Sequence, residues 1–210
     1  MVVKTMSILQ DSWGAFSKKI AKDYLKTFGT PSLESKLILF EILEKIADGE
    51  KIKVIDLGCG NANLAEYLAE KKLNFAYTGV DFSQVLLDSA MDAYSDASFI
   101  CDDVNVLDSI SKQYDVAVYS HVIEMLSSPE NSLMAAKKIA KKIIIRFFEP
   151  PEAETDWVEL LDMDVGDARV PYLRRKMSKD YYRLILAKIG CKQVDVYRDS
   201  YKDQVHVLYF

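Results

Sequence analysis

Cysteine is scarce in this chain of 210 residues: the three present, Cys59, Cys101 and Cys191, lie far apart and form no CxxC pair. That spacing points away from a disulfide framework and a zinc cluster, and fits a reducing, cytoplasmic setting. Glycine and proline are also few, at 8 and 5 residues, which excludes collagen-like and low-complexity chains. Long apolar runs are missing. No segment approaches the roughly 18 uninterrupted apolar residues of a membrane span, so no membrane association is expected. The N-terminal MVVKTMSILQDSW has neither the apolar stretch nor the small-residue cleavage site of a secretory leader. Positive charge is not in excess: 27 Lys and Arg against 32 Asp and Glu give a net charge of -5, so nothing global pulls the chain toward phosphate backbones. No repeat with a period of about 20 to 50 residues is visible.

What is present is a globular composition, 50% hydrophobic and 28% charged. At about 150 residues per domain, the length predicts a single domain with additions. Trp13, Phe16, Ile20 and Tyr24 recur at helical spacing. After Gly29, with Thr30 as cap and Pro31 at the first helical position, a second stripe runs through Leu33, Leu37, Phe40, Ile42, Leu43 and Ile46 to Asp48 and Gly49. Residues 1–50 therefore read as a helical N-terminal cap. From Lys51 the period alternates: KIKVIDL, NFAYTGVDF, ASFICDD, YDVAVYS and KKIIIRFF read as strands, separated by helical patterns and by a short helix over Val106 to Lys112. Such alternation predicts right-handed crossovers and an α/β, doubly wound, mainly parallel sheet over residues 51–148. The alternation breaks over residues 149–177, an insertion with three prolines and many acids. Ser178 then caps a helix ending at Gly190, and KQVDVYR and QVHVLYF follow as a hairpin. The expected sheet has seven strands, the last antiparallel.

One turn in this pattern carries chemistry. Strand VIDL enters Gly58-Cys59-Gly60-Asn61-Ala62-Asn63 and then a helix. Glycines let backbone approach a ligand closely, and a helix N-terminus offers unpaired amide donors. Asp81 ends the second strand 21 residues after Gly60, where a carboxylate can accept both hydroxyls of a ribose. These features predict a nucleoside-containing cofactor. A dinucleotide fingerprint reading from Gly58 would need a third glycine where Asn63 stands, which weakens a pyrophosphate assignment.

In order and spacing, VIDLGCGNANLAEYL, YTGVDFSQVLLDSA, FICDDV and YDVAVYSHVIEML resemble the motifs of class I S-adenosylmethionine-dependent methyltransferases. The resemblance implies a Rossmann-like methyltransferase fold that binds S-adenosylmethionine. By it, Asp56, Gly58, Cys59 and Gly60 would line the methionine end, Asp81 would hold the ribose, and Phe82 would lie beside the adenine. Asp103 would accept from the adenine amine, with Val104 next to the ring. Its neighbour Asp102 is the alternative that the register disfavours. Ser120 would border methionine and substrate. The family's third glycine is Ala62 here. Base-methylating and glutamine-methylating members resemble one another in an Asn or Asp followed by two prolines and an aromatic at the fourth strand's end. This chain has Ser120-His121-Val122-Ile123 there, which with the acidic balance makes nucleic acid an unexpected partner.

On the acceptor side, His121 and Glu149 are the candidate general bases, set against a reading as loop and edge residues. Tyr24, Trp157, Tyr172 and Arg174 are candidate substrate contacts, set against core packing for Tyr24 and a solvated face for the insertion. Cys59 reads as a small filler. Glu124 reads as a polar loop residue and His206 as structural. The leading expectation is methyl transfer to an oxygen or nitrogen atom of a small molecule by a monomer or homodimer, without a metal. The alternatives are protein or tRNA methylation, through Lys137 to Lys142 and Arg174 to Lys176, and a non-catalytic cofactor-binding scaffold.

Overall fold

The computed structural model describes residues 33–165 and 168–210. The proposed first helix with Trp13 and Tyr24, and the Thr30-Pro31 start of the second, lie outside the described residues. Helix α1 (Glu34–Ala47) buries Leu39, Phe40, Leu43 and Ala47 and stops at Asp48, which takes a left-handed φ of 48°. Then follow β1 (Ile52–Leu57), α2 (Asn63–Glu70), β2 (Phe75–Asp81), α3 (Gln84–Ala93), β3 (Ser98–Cys101) and β4 (Tyr114–Ser120). A single 3-10 turn (Ile123–Met125) leads to α4 (Pro129–Ile139) and β5 (Ala140–Phe147). The chain continues through β6 (Trp157–Val165), β7 (Ala168–Lys176), α5 (Lys179–Lys188), β8 (Gln193–Arg198) and β9 (Gln204–Tyr209).

Seven strands form one sheet in the order β3-β2-β1-β4-β5-β9-β8. The first five are parallel, and β9 runs antiparallel to both β5 and β8. This is the doubly wound sheet expected, with its reversed strand inserted one place in from the edge. Both faces are covered, so the central strands are apolar on both sides. Leu39, Leu43, Leu64 and Leu68 from α1 and α2 pack on Val54, Val116, Val118, Ile144, Val205 and Val207. On the other face Leu133, Tyr182 and Ile185 meet Ile55, Tyr119, Ile143, Ile145 and Phe147. His206 is buried there between Tyr182 Oη at 3.0 Å and Gln204 at 2.9 Å, and burial pushes its pKa down to about 4.

One local expectation needs correction, and the insertion gains a structure that the sequence reading did not assign. Val106 to Lys112 forms turns rather than a helix. Leu107 has φ 55°, and the Asp102 carboxylate draws in the Ser109 N–H at 3.1 Å, a side-chain competitor for helical backbone bonding. The insertion over residues 149–177 is a two-stranded antiparallel hairpin, β6 with β7. Its acids and Pro171 hide the strand signal. Proline is tolerated because each strand of a two-stranded sheet keeps a free edge.

Candidate functional site

The parallel strands β1, β2, β4 and β5 end along one edge, and the chemistry-bearing residues gather there. After β1 the chain turns sharply, with Gly58 N and Cys59 N both donating to the Val80 carbonyl at 2.8 and 3.0 Å. Gly58 has φ 80°, and a Cβ there would lie 2.7 Å from both methyl carbons of Val122. Glycine is thus demanded by backbone conformation and by the close approach of the segment after β4. We expect Gly58→Ala to lower stability by at least about 1–2 kcal/mol, read as a reduced melting temperature. Cys59 fills the space beside Gly79, where an added Cβ would lie 2.7 Å from its Sγ, and burial pushes its thiol pKa up, away from nucleophile chemistry. Ala62, the position of the missing glycine, is fully buried at φ 65° and starts α2.

Two acids flank this turn. Asp81 is buried, and its carboxylate accepts from Gly60 N and Ser83 N, both at 2.9 Å, one on each oxygen. Its plane is therefore fixed, while each oxygen keeps a lone pair for a ligand hydroxyl. Asp56 accepts from Tyr77 Oη at 2.6 Å through Oδ2, and its buried Oδ1 has no partner. Burial first, and the neighbouring Asp81 charge also, push the Asp56 pKa up to about 7 against the opposing Tyr77 bond. The Asn61 side-chain oxygen in the turn is likewise buried and unpartnered. Orphaned acceptors of this kind call for a ligand that donates, an ammonium or amine above all.

Beyond β3, Asp102 is spent on the loop itself, accepting from Asp103 N at 2.8 Å and from Ser109. Asp103 Oδ1 closes a turn with the backbone and side chain of Asn105, both at 2.8 Å. Val104 is buried and Phe82 half-buried. Ser120 is half-buried at the end of β4, opposite Arg146 of β5.

The segment after β4 holds more than the sequence reading found. His121 takes φ 60° and has both ring nitrogens engaged, Nε2 with Asp203 at 2.8 Å and Nδ1 with Arg146 Nη2 at 3.0 Å. Arginine has no acceptor, so Nδ1 receives and the proton sits on Nε2. Burial pushes the His121 pKa down, so the Asp203 contact is a hydrogen bond of a neutral ring rather than an ion pair. Asp203 also accepts from Ser35 Oγ at 2.8 Å. Burial alone would raise the Asp203 pKa, but the His121 and Ser35 bonds outweigh it and hold the carboxyl low. Arg146, Asp203, Ser35 and Glu124 were all missed as site residues. A charged residue inside the apolar run IIIRFF was the available signal for Arg146.

Glu149 follows β5 and pairs with Arg174 at 2.9 Å, while Lys202 stands 3.8 Å away. Arg174 also reaches Glu159 at 3.5 Å, and Glu159 and Arg174 are cross-strand partners in the hairpin. Tyr172 lies two residues before Arg174, paired with Leu161. Trp157 is 40% exposed at the hairpin base with the Lys176 ammonium over its ring. Glu124, in the 3-10 turn, is fully buried, and its Oε1 accepts from Phe148 N at 2.8 Å and Glu149 N at 3.2 Å. Its Oε2 has no partner, and burial pushes its pKa up to about 7. Among the described residues, no group of three His, Cys, Asp or Glu is placed to hold a metal, and no helix is long and apolar enough to cross a membrane.

A doubly wound sheet with a glycine turn after β1 and acids near the ends of β1 and β2 is the Rossmann-like arrangement. Residues 54–142 match the methyltransferase domain family. Among curated proteins, the chain is similar to the malonyl-[acyl-carrier protein] O-methyltransferase of Priestia megaterium, 24% identical over 131 residues. That match covers 60% of this chain and 46% of the relative, so it spans about half the relative's length. Among solved structures, the DhpI complex with S-adenosylhomocysteine has a TM-score of 0.71 at 15% identity, covering 97% of this chain and 98% of that one. S-adenosylmethionine-bound CalS10, an amino pentose methyltransferase from Micromonospora echinaspora, has a TM-score of 0.65 at 11% identity, covering 89% and 96%. These solved structures share the fold of this chain.

Proposed function

We propose that this protein is an S-adenosylmethionine-dependent methyltransferase acting on an oxygen or nitrogen atom of a small molecule. The observation that carries this reading is the pair of acids across the glycine turn: Asp81 pinned by Gly60 N and Ser83 N, and Asp56 with an unpartnered buried oxygen. S-adenosylmethionine brings a methyl group already activated by its sulfonium. Asp56 would receive its ammonium and Asp81 its ribose hydroxyls. Asp103 would face the adenine amine, with Phe82 and Val104 beside the ring, and Ser120 would border the methyl. Gly58, Cys59 and Gly60 would give the close backbone approach.

The chain's own contribution is then alignment of the acceptor and exclusion of water, which can supply most of the rate for an activated methyl group. His121 has both nitrogens engaged, and Glu149 is held by Arg174. This favours acceptors that need little deprotonation, or a hairpin movement that frees Glu149 when the acceptor enters. Arg174, Tyr172 and Trp157 on the hairpin, with Tyr24 on the N-terminal cap, would select the acceptor. Protein or tRNA methylation is less supported, because cations of the supposed basic patch are already engaged. Lys137 donates to the Ile189 carbonyl at 2.6 Å, Arg174 pairs with Glu149, and Arg175 pairs with Asp156 at 2.7 Å.

Calorimetric titration with S-adenosylmethionine, followed by assay for S-adenosylhomocysteine with acceptor pools, tests this. Micromolar binding with slow turnover is expected. Absence of binding would sink the reading, and binding without turnover on any pool would favour a scaffold.

A further inference from the structure

Arg146 is a buried group to which cofactor binding assigns no task. It is 4% exposed, and of its five N–H donors the described contacts use one, from Nη2 to His121 Nδ1 at 3.0 Å. Its Nε and Nη1 are buried without a partner. The carboxylates of Asp203, Glu124, Asp56 and Asp199 favour its charge, but none of them fills these two donors, and buried donors left open in this way suit a ligand that accepts. The nearest acid does not neutralise it directly. Asp203 is turned toward His121 Nε2 and Ser35 Oγ, and the neutral imidazole stands between carboxylate and guanidinium. That chain fixes where Arg146 points. Lys36, only 5% exposed, adds a second buried cation, its pKa pushed down by burial and then by Arg146 itself.

Position along the sheet edge says which ligand group is served. Of the proposed nucleoside residues, Asp81 ends β2 and Asp103 follows β3; Asp56 is the last but one residue of β1, and Ser120 ends β4. A methyl donor laid across these strands places its reacting end at β4, and the next strand is β5, where Arg146 stands directly opposite Ser120. We propose that Arg146, aligned by His121 and Asp203, anchors a carboxylate carried by the methyl acceptor. A planar oxyanion matches the planar, multiply donating guanidinium better than a neutral group can. His121 is then a positioning residue for Arg146 rather than the base. The inference rests on the methyltransferase reading and narrows its acceptor to carboxylate-bearing small molecules.

The test uses protein saturated with S-adenosylhomocysteine and the probes benzoate and malonate, with benzamide as the neutral control. Both carboxylates should raise the melting temperature of the wild type by about 2 °C or more at saturation, and benzamide should not. The rise should vanish in Arg146→Met and shrink in Arg146→Lys, which keeps the charge without the fork. Affinity for S-adenosylhomocysteine should stay within about twofold of wild type in both variants by calorimetry. The proposal is overturned by no carboxylate effect in the wild type or by an equal effect in Arg146→Met. A tenfold or greater loss of S-adenosylhomocysteine affinity in Arg146→Met assigns the carboxylate to the donor's amino-acid end and overturns the acceptor assignment. Failure of S-adenosylhomocysteine to bind the wild type is a different outcome, which removes the methyltransferase reading itself and this proposal with it.

Discussion

Glu124→Gln is expected to make the protein more stable than wild type at pH 8 and to change little at pH 5. The side chain is fully buried with an unpartnered Oε2, and burial raises its pKa from an ordinary 4.5 to about 7. A carboxyl whose folded pKa lies above its unfolded value gives stability that is complete below the unfolded pKa and is lost as pH rises through the folded one. The window here runs from about 4.5 to about 7, and the full loss is on the order of 3 kcal/mol. Gln keeps the oxygen that accepts from Phe148 N and Glu149 N and removes the titration. Asp56, also raised to about 7, would leave the variant with a remaining slope in the same direction. Thermal melts of both proteins at pH 5 and pH 8 decide the matter. A difference of equal size at the two pH values would show that ionisation of Glu124 plays no part.

Asp81→Ala is expected to weaken binding of S-adenosylhomocysteine by about 1.5–3 kcal/mol, roughly 10- to 150-fold, as for loss of hydrogen bonds to a charged group. The substitution also releases Gly60 N and Ser83 N, so part of the loss comes through a looser glycine turn. Asp81→Asn preserves the shape and one acceptor oxygen and should fall between the two. Calorimetry at constant pH checks both variants. An affinity for Asp81→Ala equal to wild type would refute the ribose assignment.

The glycine turn and the acids beside it were legible in the sequence because their determinants are local. Gly58 and Gly60 stand in one turn, and Asp81 closes the next strand, so period and spacing brought them together on paper. Arg146, Asp203 and Ser35 are joined only by sheet register and by insertion of β9 beside β5, bringing Ser35 to Asp203 across 168 residues. No pattern of period two or 3.6 records such a contact. Glu124 escaped for a related reason. A single 3-10 turn has no periodicity, and only the packing of β7 and β5 around that turn reveals its carboxyl as buried. The β6–β7 hairpin was hidden by composition, since Pro171 and the paired charges on its exposed edges read as loop chemistry.

Reversal of β9 decides which loop reaches the working edge. Because β9 runs against β5, its beginning, not its end, lies beside the ends of the parallel strands. The link from β8 thus delivers Asp203 against His121 and Lys202 within 3.8 Å of Glu149. On the proposed reading the edge is partitioned laterally, with donor-facing loops after β1, β2 and β3 and acceptor-facing segments after β4, after β5 and before β9. Changes in the β8–β9 link would then retune acceptor preference and leave the adenosine end untouched. The fold would in this way separate a constant reagent from an exchangeable substrate within one continuous sheet.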